Sequence, residues 1–228
     1  GSITSTVSAN TTSGFSIVTY TGNSTSGATV GHGLGATPSM VIVKGRDTAG
    51  LAWCVYHISL GATQYVFLDA TSAAGTYAGF WNNTAPTSTL FTLGNDNGTN
   101  GTSKTYVAYC FAAIAGYSAF GSYTGNGSTD GPFIYTGMRP AYLLFKRYDS
   151  TGNWTVLDNT RNTSNAEYSY LFPNLTLAEI DSASTDSVDF LSNGFKMRGG
   201  SSTSTNTSGA TYIYMAFAQN PFKYSLAR

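Results

Sequence analysis

Short runs of β-branched and aromatic residues alternate along the chain with turns rich in Gly, Asn, Ser and Thr. Runs of this kind, bounded by turn residues, predict strands rather than helices. The run at residues 39–44 is apolar at successive positions rather than at alternate ones, which is typical of a strand covered on both faces. The pattern predicts strands at residues 15–20, 39–44, 53–58, 65–68, 79–81, 89–93, 105–112, 120–123, 141–146, 154–157, 168–172, 188–191, 194–197 and 211–218.

The remaining segments have less regular patterns. Residues 95–101 contain Asn, Asp and Gly and predict a turn-rich loop, and residues 176–180 predict a single helical turn. Residues 3–8 and 221–226 are predicted to add edge strands or to lie across the junction of the two halves.

The same sequence blocks occur twice, about one hundred residues apart, which marks a duplicated structural unit. The matching blocks are 20–23 with 123–126, 38–47 with 140–149, 53–57 with 154–158, and 105–107 with 211–213, and Asn100 matches Asn206 shortly before the last pair. We therefore predict an all-β chain of two tandem, jelly-roll-like antiparallel β-sandwich repeats packed together by pseudo-symmetry. Residues 1–118 form the first repeat with an N-terminal strand, and residues 119–228 form the second with a C-terminal tail.

Charge is scarce, with 11 basic and 11 acidic residues among 228. No basic stripe exists, so we predict no nucleic-acid partner. The 16 Tyr, 13 Phe and 3 Trp supply enough apolar surface for the chain to fold despite its low charge. No apolar run reaches the roughly 18 residues of a membrane-spanning helix, so we predict no membrane insertion.

Histidine and cysteine are too few for a metal site. His32 and His57 are the two histidines, and no zinc-type spacing of His or Cys is present. We predict no metal and no cofactor.

Cys54 and Cys110 align with a threonine and an alanine in the second copy, so the repeated unit does not need them. Two buried free thiols are predicted, with a disulfide as the alternative.

Catalytic motifs are also missing from the sequence. Glycoside cleavage needs two carboxylates, and the two glutamates, Glu167 and Glu179, both lie in the second copy without a recognisable motif. No nucleophile elbow and no phosphate-binding loop is present. We predict that the chain is not an enzyme and has no catalytic residues.

The candidate ligand-binding residues are an aromatic pair beside two amides and a loop histidine. Phe80, Trp81, Asn82 and Asn83 are adjacent, and Trp81 has no clear counterpart in the other copy. An exposed Trp would stack on a sugar, whereas a buried Trp would serve the core. His32 lies among alternating glycines, which allow close backbone approach.

Two further features of the repeat have a structural and a functional interpretation. Trp53 and Trp154 each begin a strand with an apolar residue two positions on, which favours core packing over a sugar platform. Lys44 and Asp47, which recur in the second copy, are predicted to pair and close the strand, with ligand contact as the alternative.

The second copy carries the clearest family motifs. They are Tyr-Thr-Gly-Asn-Gly at 123–127, an apolar strand ending in Lys146, Asn-Gly-Phe at 193–195, Ser-Gly-Ala-Thr-Tyr-Ile at 208–213 and the ending at 216–224. Together these motifs resemble an uncharacterised duplicated β repeat of tail and virion structural proteins of tailed bacteriophages. The resemblance covers residues 14–228, carries over no catalytic residues, and implies a virion or extracellular location.

The resemblance and the polar, uncharged loops favour a non-enzymatic module of a tail fibre or similar virion appendage, whose loops contact a host-surface glycan or protein receptor. Expected partners are that receptor, neighbouring virion protein domains and a second copy of the chain in a homo-oligomer. One alternative is a purely structural spacer or capsid-decoration unit. The other is a glycan-degrading domain.

Overall fold

The computed structural model describes residues 1–162, 164–181, 186–200 and 205–221, and over these residues the chain is all-β with antiparallel sheets, which confirms the predicted class. Contacts divide the chain into two compact units. Unit 1 comprises Gly1–Ala70 and Ala74–Ala113, and unit 2 comprises Thr71–Ala73 and the residues from Ile114 onward.

Unit 1 contains two sheets and two single-turn helices. Its strands are β1 (Ser5–Asn10), β2 (Phe15–Thr21), β3 (Ala28–Gly31), β4 (Met40–Gly45), β5 (Cys54–His57), β6 (Gln64–Phe67), β7 (Gly75–Thr76), β8 (Leu90–Leu93) and β9 (Thr105–Phe111). Seven strands form one sheet in the order β1-β2-β9-β4-β5-β6-β7, and β3 pairs with β8 in the other. The helices are α1 (Ala78–Trp81) and α2 (Asn97–Asn100).

The core of unit 1 is formed by one face of the large sheet, the β3–β8 pair and α1. Strand β9 illustrates why only one face of the sheet packs into the core. Its residues alternate between buried and partly exposed, so Tyr106, Ala108 and Cys110 face the core while Thr105 and Tyr109 face outward. Because both cysteines are buried and free, the predicted free thiols are confirmed.

Within its described residues, unit 2 contains three sheets. Its strands are β10 (Ser118–Thr124), β11 (Phe133–Tyr135), β12 (Pro140–Arg147), β13 (Trp154–Asp158), β14 (Ser169–Tyr170), β15 (Ile180–Asp181), β16 (Val188–Leu191), β17 (Gly194–Met197) and β18 (Thr211–Ala218). They pair in the orders β10-β18-β12-β13, β11-β17-β16 and β14-β15. The inner faces of the first two sheets, with Tyr170 of β14, form the core of this unit.

A stacked tyrosine pair occurs in each unit. The rings of Tyr20 and Tyr106 lie 5.2 Å apart in unit 1, and the rings of Tyr123 and Tyr212 lie 4.7 Å apart in unit 2. The Tyr20 hydroxyl donates to the Thr99 carbonyl at 2.7 Å, and the Tyr123 hydroxyl donates to the Thr205 carbonyl at 2.9 Å. Both pairs therefore combine ring packing with a satisfied buried hydroxyl.

A buried asparagine also recurs. Asn100 accepts the backbone N–H of Asn23 at 2.9 Å and donates to a loop carbonyl at 2.7 Å. Asn206 accepts the backbone N–H of Asn126 at 2.9 Å and donates to a loop carbonyl at 2.9 Å. Both side chains are fully buried. The repeated sequence blocks thus coincide with repeated buried hydrogen bonds.

Several predicted elements differ from the observed ones. The strand predicted at 79–81 is the helical turn α1, in which the backbone N–H of Asn82 donates to Ala78 O at 2.8 Å and Asn82 ends the turn in the left-handed region at φ 50°. The loop predicted at 95–101 contains α2, whose first turn is capped by the Asp96 carboxylate accepting from Gly98 N at 2.6 Å.

The helical turn predicted at 176–180 is also wrong, since this segment is extended and ends in β15. The N-terminal strand is confirmed as an edge strand, because β1 is the outermost strand of the large sheet. Residues 222–226 of the second predicted edge strand lie outside the described residues.

Candidate functional site

The aromatic pair predicted to meet a ligand lies inside unit 1. Trp81 is 2% exposed and packs edge-on against Tyr56 at 6.1 Å between ring centroids. Phe80 is also buried and packs edge-on against Tyr65 at 4.6 Å. The helical turn α1 directs both rings into the core, so neither offers a free face to a sugar, and this correction removes the predicted platform.

His32 is buried as well. Its Nδ1 accepts the backbone N–H of Leu34 at 3.3 Å, so the ring proton lies on Nε2 and is donated to Thr87 O at 3.2 Å. Burial lowers the pKa of His32, which favours this neutral form. The ring therefore ties two loop segments together, and the predicted ligand contact is corrected to a structural role.

Asn82 and Asn83 remain accessible, but they lie at a turn rather than at a site. Both adopt left-handed backbone angles at φ 50°, and the Asn82 Oδ1 accepts the Ser26 hydroxyl at 2.7 Å. Asparagine tolerates this conformation better than most residues. The two amides end α1, and the burial of their aromatic neighbours separates them from any stacking surface.

The repeated tryptophans have different environments. Trp154 is buried, as predicted, whereas Trp53 is partly exposed and stacks on Tyr109 at 6.3 Å, with the Lys44 ammonium 5.5 Å from its ring centroid.

The predicted Lys44–Asp47 pair is wrong. Lys44 donates to the carbonyl of Leu51, while the Asp47 carboxylate accepts from the backbone N–H and the hydroxyl of Thr105 in β9.

The two glutamates have different environments near Arg161. Arg161 bonds Glu179 at 2.5 Å and Asp158 at 2.7 Å. Glu167 is 2% exposed, and its Oε2 has no hydrogen-bond partner among the described residues. Burial, with a contribution from Asp158, raises the pKa of Glu167 to about 7. A carboxyl group this deeply buried cannot contact a polysaccharide chain in this conformation.

A pair of exposed aromatic rings lies instead on unit 2. Phe133 is 45% exposed and Tyr135 is 69% exposed, although large aromatic side chains are usually buried. Both point away from the core because they flank Ile134, which packs inside, and side chains alternate along a strand. Strand β11 is the edge of its sheet. We call these two rings the β11 platform.

Charged groups border the β11 platform on the same face of the sheet. Lys196 of β17 lies directly opposite Phe133 and pairs with Asp130 at 2.5 Å. The hydrogen bond from Lys196 lowers the pKa of Asp130, so this carboxylate stays ionised at neutral pH. One step further along the sheet, Asp189 lies opposite Lys196 and pairs with Arg198. Hydrogen-bond donors and acceptors therefore lie beside the two aromatic rings.

The residue of β17 that lies opposite Tyr135 is Gly194. A Cβ at this position would lie 2.1 Å from the Ile134 carbonyl oxygen and 2.9 Å from the Phe133 ring. Close backbone approach therefore requires glycine here. Glycine at this position therefore adds no side chain opposite Tyr135.

The equivalent strand of unit 1 has no aromatic pair. Val30 of β3 lies opposite Phe91, as Ile134 lies opposite Phe195, and the flanking residues of β3 are Thr29 and Gly31. That strand is also covered at its edge, because Ile3 forms a parallel bridge with Val30. The β11 platform is thus a feature of the second unit.

Sequence reasoning missed the β11 platform because Phe133-Ile134-Tyr135 is short and apolar throughout. A signal was present: the run follows Gly131-Pro132, and its two aromatics occupy positions held by Thr and Gly in the first copy. A strand that gains aromatics on its outward positions is a better platform candidate than an aromatic pair of unknown orientation.

The described residues contain no group of three or more His, Cys, Asp or Glu side chains that could hold a metal ion. Their helices are single turns, and none is long and apolar enough to cross a membrane. The fold and its surface define an all-β protein with two cores and an exposed aromatic platform.

The chain belongs to the family described as "Domain of unknown function (DUF7483)", which matches residues 1–221. Comparison with curated proteins and with solved structures gave no match.

Proposed function

We propose that this chain is a non-enzymatic attachment module and that the β11 platform binds a host-surface glycan or protein receptor. The exposed rings of Phe133 and Tyr135 are the observation that carries this proposal. Aromatic rings stack on the apolar faces of sugars, and aromatic residues are also enriched among the residues that anchor protein interfaces. The ion pair of Lys196 with Asp130 supplies polar contacts beside the rings.

The support of the platform suits a binding role. Ile134 lies between the two rings in sequence and is held in the unit-2 core. Three antiparallel strands hold the face on which the rings lie. A surface already held in place loses less conformational entropy when it binds, which favours affinity.

The same proposal includes the finer architecture and the biological setting. Two tandem jelly-roll-like repeats are supported by the equivalent stacked tyrosines and buried asparagines of the two units. A tail-fibre or other virion location is supported by the sequence motifs at 123–127, 193–195 and 208–213. In that setting the chain would contact both a host receptor and neighbouring virion protein domains.

Binding to an array of bacterial surface polysaccharides and oligosaccharides tests this function. We expect saturable binding that Tyr135→Ala weakens about tenfold, or about 1.4 kcal/mol, because the more exposed ring of the platform is lost. Tyr135→Phe keeps the ring and is expected to retain most of the affinity. Leu177→Ala, at a side chain that is 58% exposed in the same unit, is the matched control and should leave binding unchanged.

Two outcomes would contradict the attachment role. A silent array together with stable self-association of the chain would favour the spacer or capsid-decoration alternative. Equal losses for Tyr135→Ala and Leu177→Ala would show that the β11 platform is not the binding surface.

A further inference from the structure

Besides the β11 platform on unit 2, the structure has a polar groove on unit 1. Its volume is about 200 Å³, and its lining includes Thr4, Thr6, Thr19, Thr21, Thr105 and Arg46. Pockets for drug-sized ligands are larger, roughly 300–1,000 Å³, so this groove suits a small unit such as one monosaccharide residue.

The threonines of the groove form a grid on the outward face of the large sheet. Thr6 lies opposite Thr19 across β1 and β2, and Thr21 lies opposite Thr105 across β2 and β9. The intervening residue, Tyr20, faces the core, so Thr19 and Thr21 project to the opposite face. Hydroxyl groups both donate and accept hydrogen bonds, which matches the hydroxyls of a sugar.

Arg46 is the one charged residue that lines the groove. Its backbone N–H donates to Thr105 O at 2.8 Å, which anchors the residue at the end of β4. Its guanidinium has no hydrogen-bond or ion-pair partner among the described residues. The neighbouring Asp47 carboxylate is instead occupied by the backbone N–H and hydroxyl of Thr105, at 2.8 and 2.9 Å.

Unit 2 provides an internal comparison. Tyr148 donates its backbone N–H to Thr211 O at 3.0 Å, so it occupies the place that Arg46 has in unit 1. The arginine of that strand end, Arg147, pairs with Asp149 at 2.8 Å. The strand end of unit 2 therefore neutralises its cation, whereas the strand end of unit 1 leaves a guanidinium beside a row of hydroxyls.

We infer that this groove binds an acidic sugar, with the Arg46 guanidinium holding the sugar carboxylate and the threonine hydroxyls bonding the ring hydroxyls. A guanidinium presents two parallel N–H groups that match a carboxylate, which makes the pair stronger and more directional than a bond to a neutral hydroxyl. The groove lies on unit 1 and the β11 platform on unit 2, so this inference does not depend on the platform.

Titration calorimetry with glucuronate and a glucuronate-containing oligosaccharide, and with glucose and glucose 6-phosphate as comparisons, tests the assignment. We expect glucuronate to bind at least tenfold more tightly than glucose, and Arg46→Gln to abolish that preference. Arg46→Lys keeps the charge but not the two parallel donors, so it should retain only part of the preference. The glucuronate affinity should also fall as salt concentration rises.

Arg147→Gln is the matched control, because it removes one arginine from the corresponding strand end of unit 2. It should leave glucuronate binding unchanged, and so should Tyr135→Ala, which separates failure of the groove from failure of the platform. Three results would overturn the inference: equal affinity for glucuronate and glucose, tighter binding of glucose 6-phosphate than of glucuronate, or equal losses for Arg46→Gln and Arg147→Gln. No binding of either glucuronate probe would overturn it as well.

Discussion

Exposure, rather than residue type, separates the aromatic side chains that we propose bind a ligand from those that pack in the core. Trp81 and Phe80 are buried against other rings of unit 1, whereas Phe133 and Tyr135 face outward from an edge strand. Large buried aromatics stabilise a core through the apolar area they remove from water. The outward pair keeps much more of its apolar area in contact with water, which is consistent with a role outside the core.

Glu167 gives a pH-dependent prediction. Its pKa of about 7 in the folded chain exceeds the usual glutamate value of 4.5, so the folded state holds the proton more tightly. The stability contributed by this group is fully present below about pH 4.5, falls as pH rises toward 7, and is constant above that. Burial is the main cause, Asp158 adds to it, and Arg139 and Arg161 oppose it.

We expect Glu167→Gln to remove this pH dependence, with a difference of roughly 3 kcal/mol between pH 4.5 and pH 8. Urea unfolding of the original chain and the variant at several pH values measures it. Glu179→Gln, at an exposed carboxylate paired with Arg161, is the control. Identical pH profiles for the original chain and Glu167→Gln would contradict the prediction.

At the level of elements, each unit holds a turn through one buried asparagine. Asn100, the last residue of α2, bonds the turn after β2 by accepting the Asn23 N–H and donating to the Thr25 carbonyl at 3.1 Å. Asn206 bonds the turn after β10 by accepting the Asn126 N–H and donating to the Ser128 carbonyl at 2.8 Å. Removing such a side chain leaves buried backbone groups without partners, which costs about 1–3 kcal/mol for each group.

We expect Asn100→Ala and Asn206→Ala each to lower the free energy of unfolding by about 2–4 kcal/mol. Asn95→Ala, at an exposed loop position without a positive φ, should change it by less than about 0.5 kcal/mol. Urea unfolding followed by circular dichroism provides the comparison. A loss at Asn95 as large as at the two buried asparagines would refute the assigned role.

At the scale of the whole molecule, two separate cores lie in the two units. Both cysteines belong to unit 1 and both are buried. Burial raises the pKa of each thiol, to about 12 for Cys110, so neither reacts as a thiolate until unit 1 opens. Thiol labelling is therefore a probe of unit 1 alone.

We expect Asn100→Ala to accelerate labelling of Cys54 and Cys110 by a disulfide reagent at least tenfold under native conditions. The reason is that a loss of about 1.4 kcal/mol increases the open population tenfold. Asn206→Ala, in unit 2, should leave the labelling rate unchanged. Equal acceleration by both variants would mean that the two units open together.

The all-β class, the position of most strands, the preference for free thiols over a disulfide, and the paired blocks that contain the buried tyrosines and asparagines are all predictable from the sequence. These properties follow from local composition and spacing, which are visible along the chain. The folded structure was needed to show that Trp81 is buried, that Phe133 and Tyr135 are exposed, and that Arg46 has no carboxylate partner. Each of these depends on which face of an element meets the core, and that is set by contacts between residues far apart in sequence.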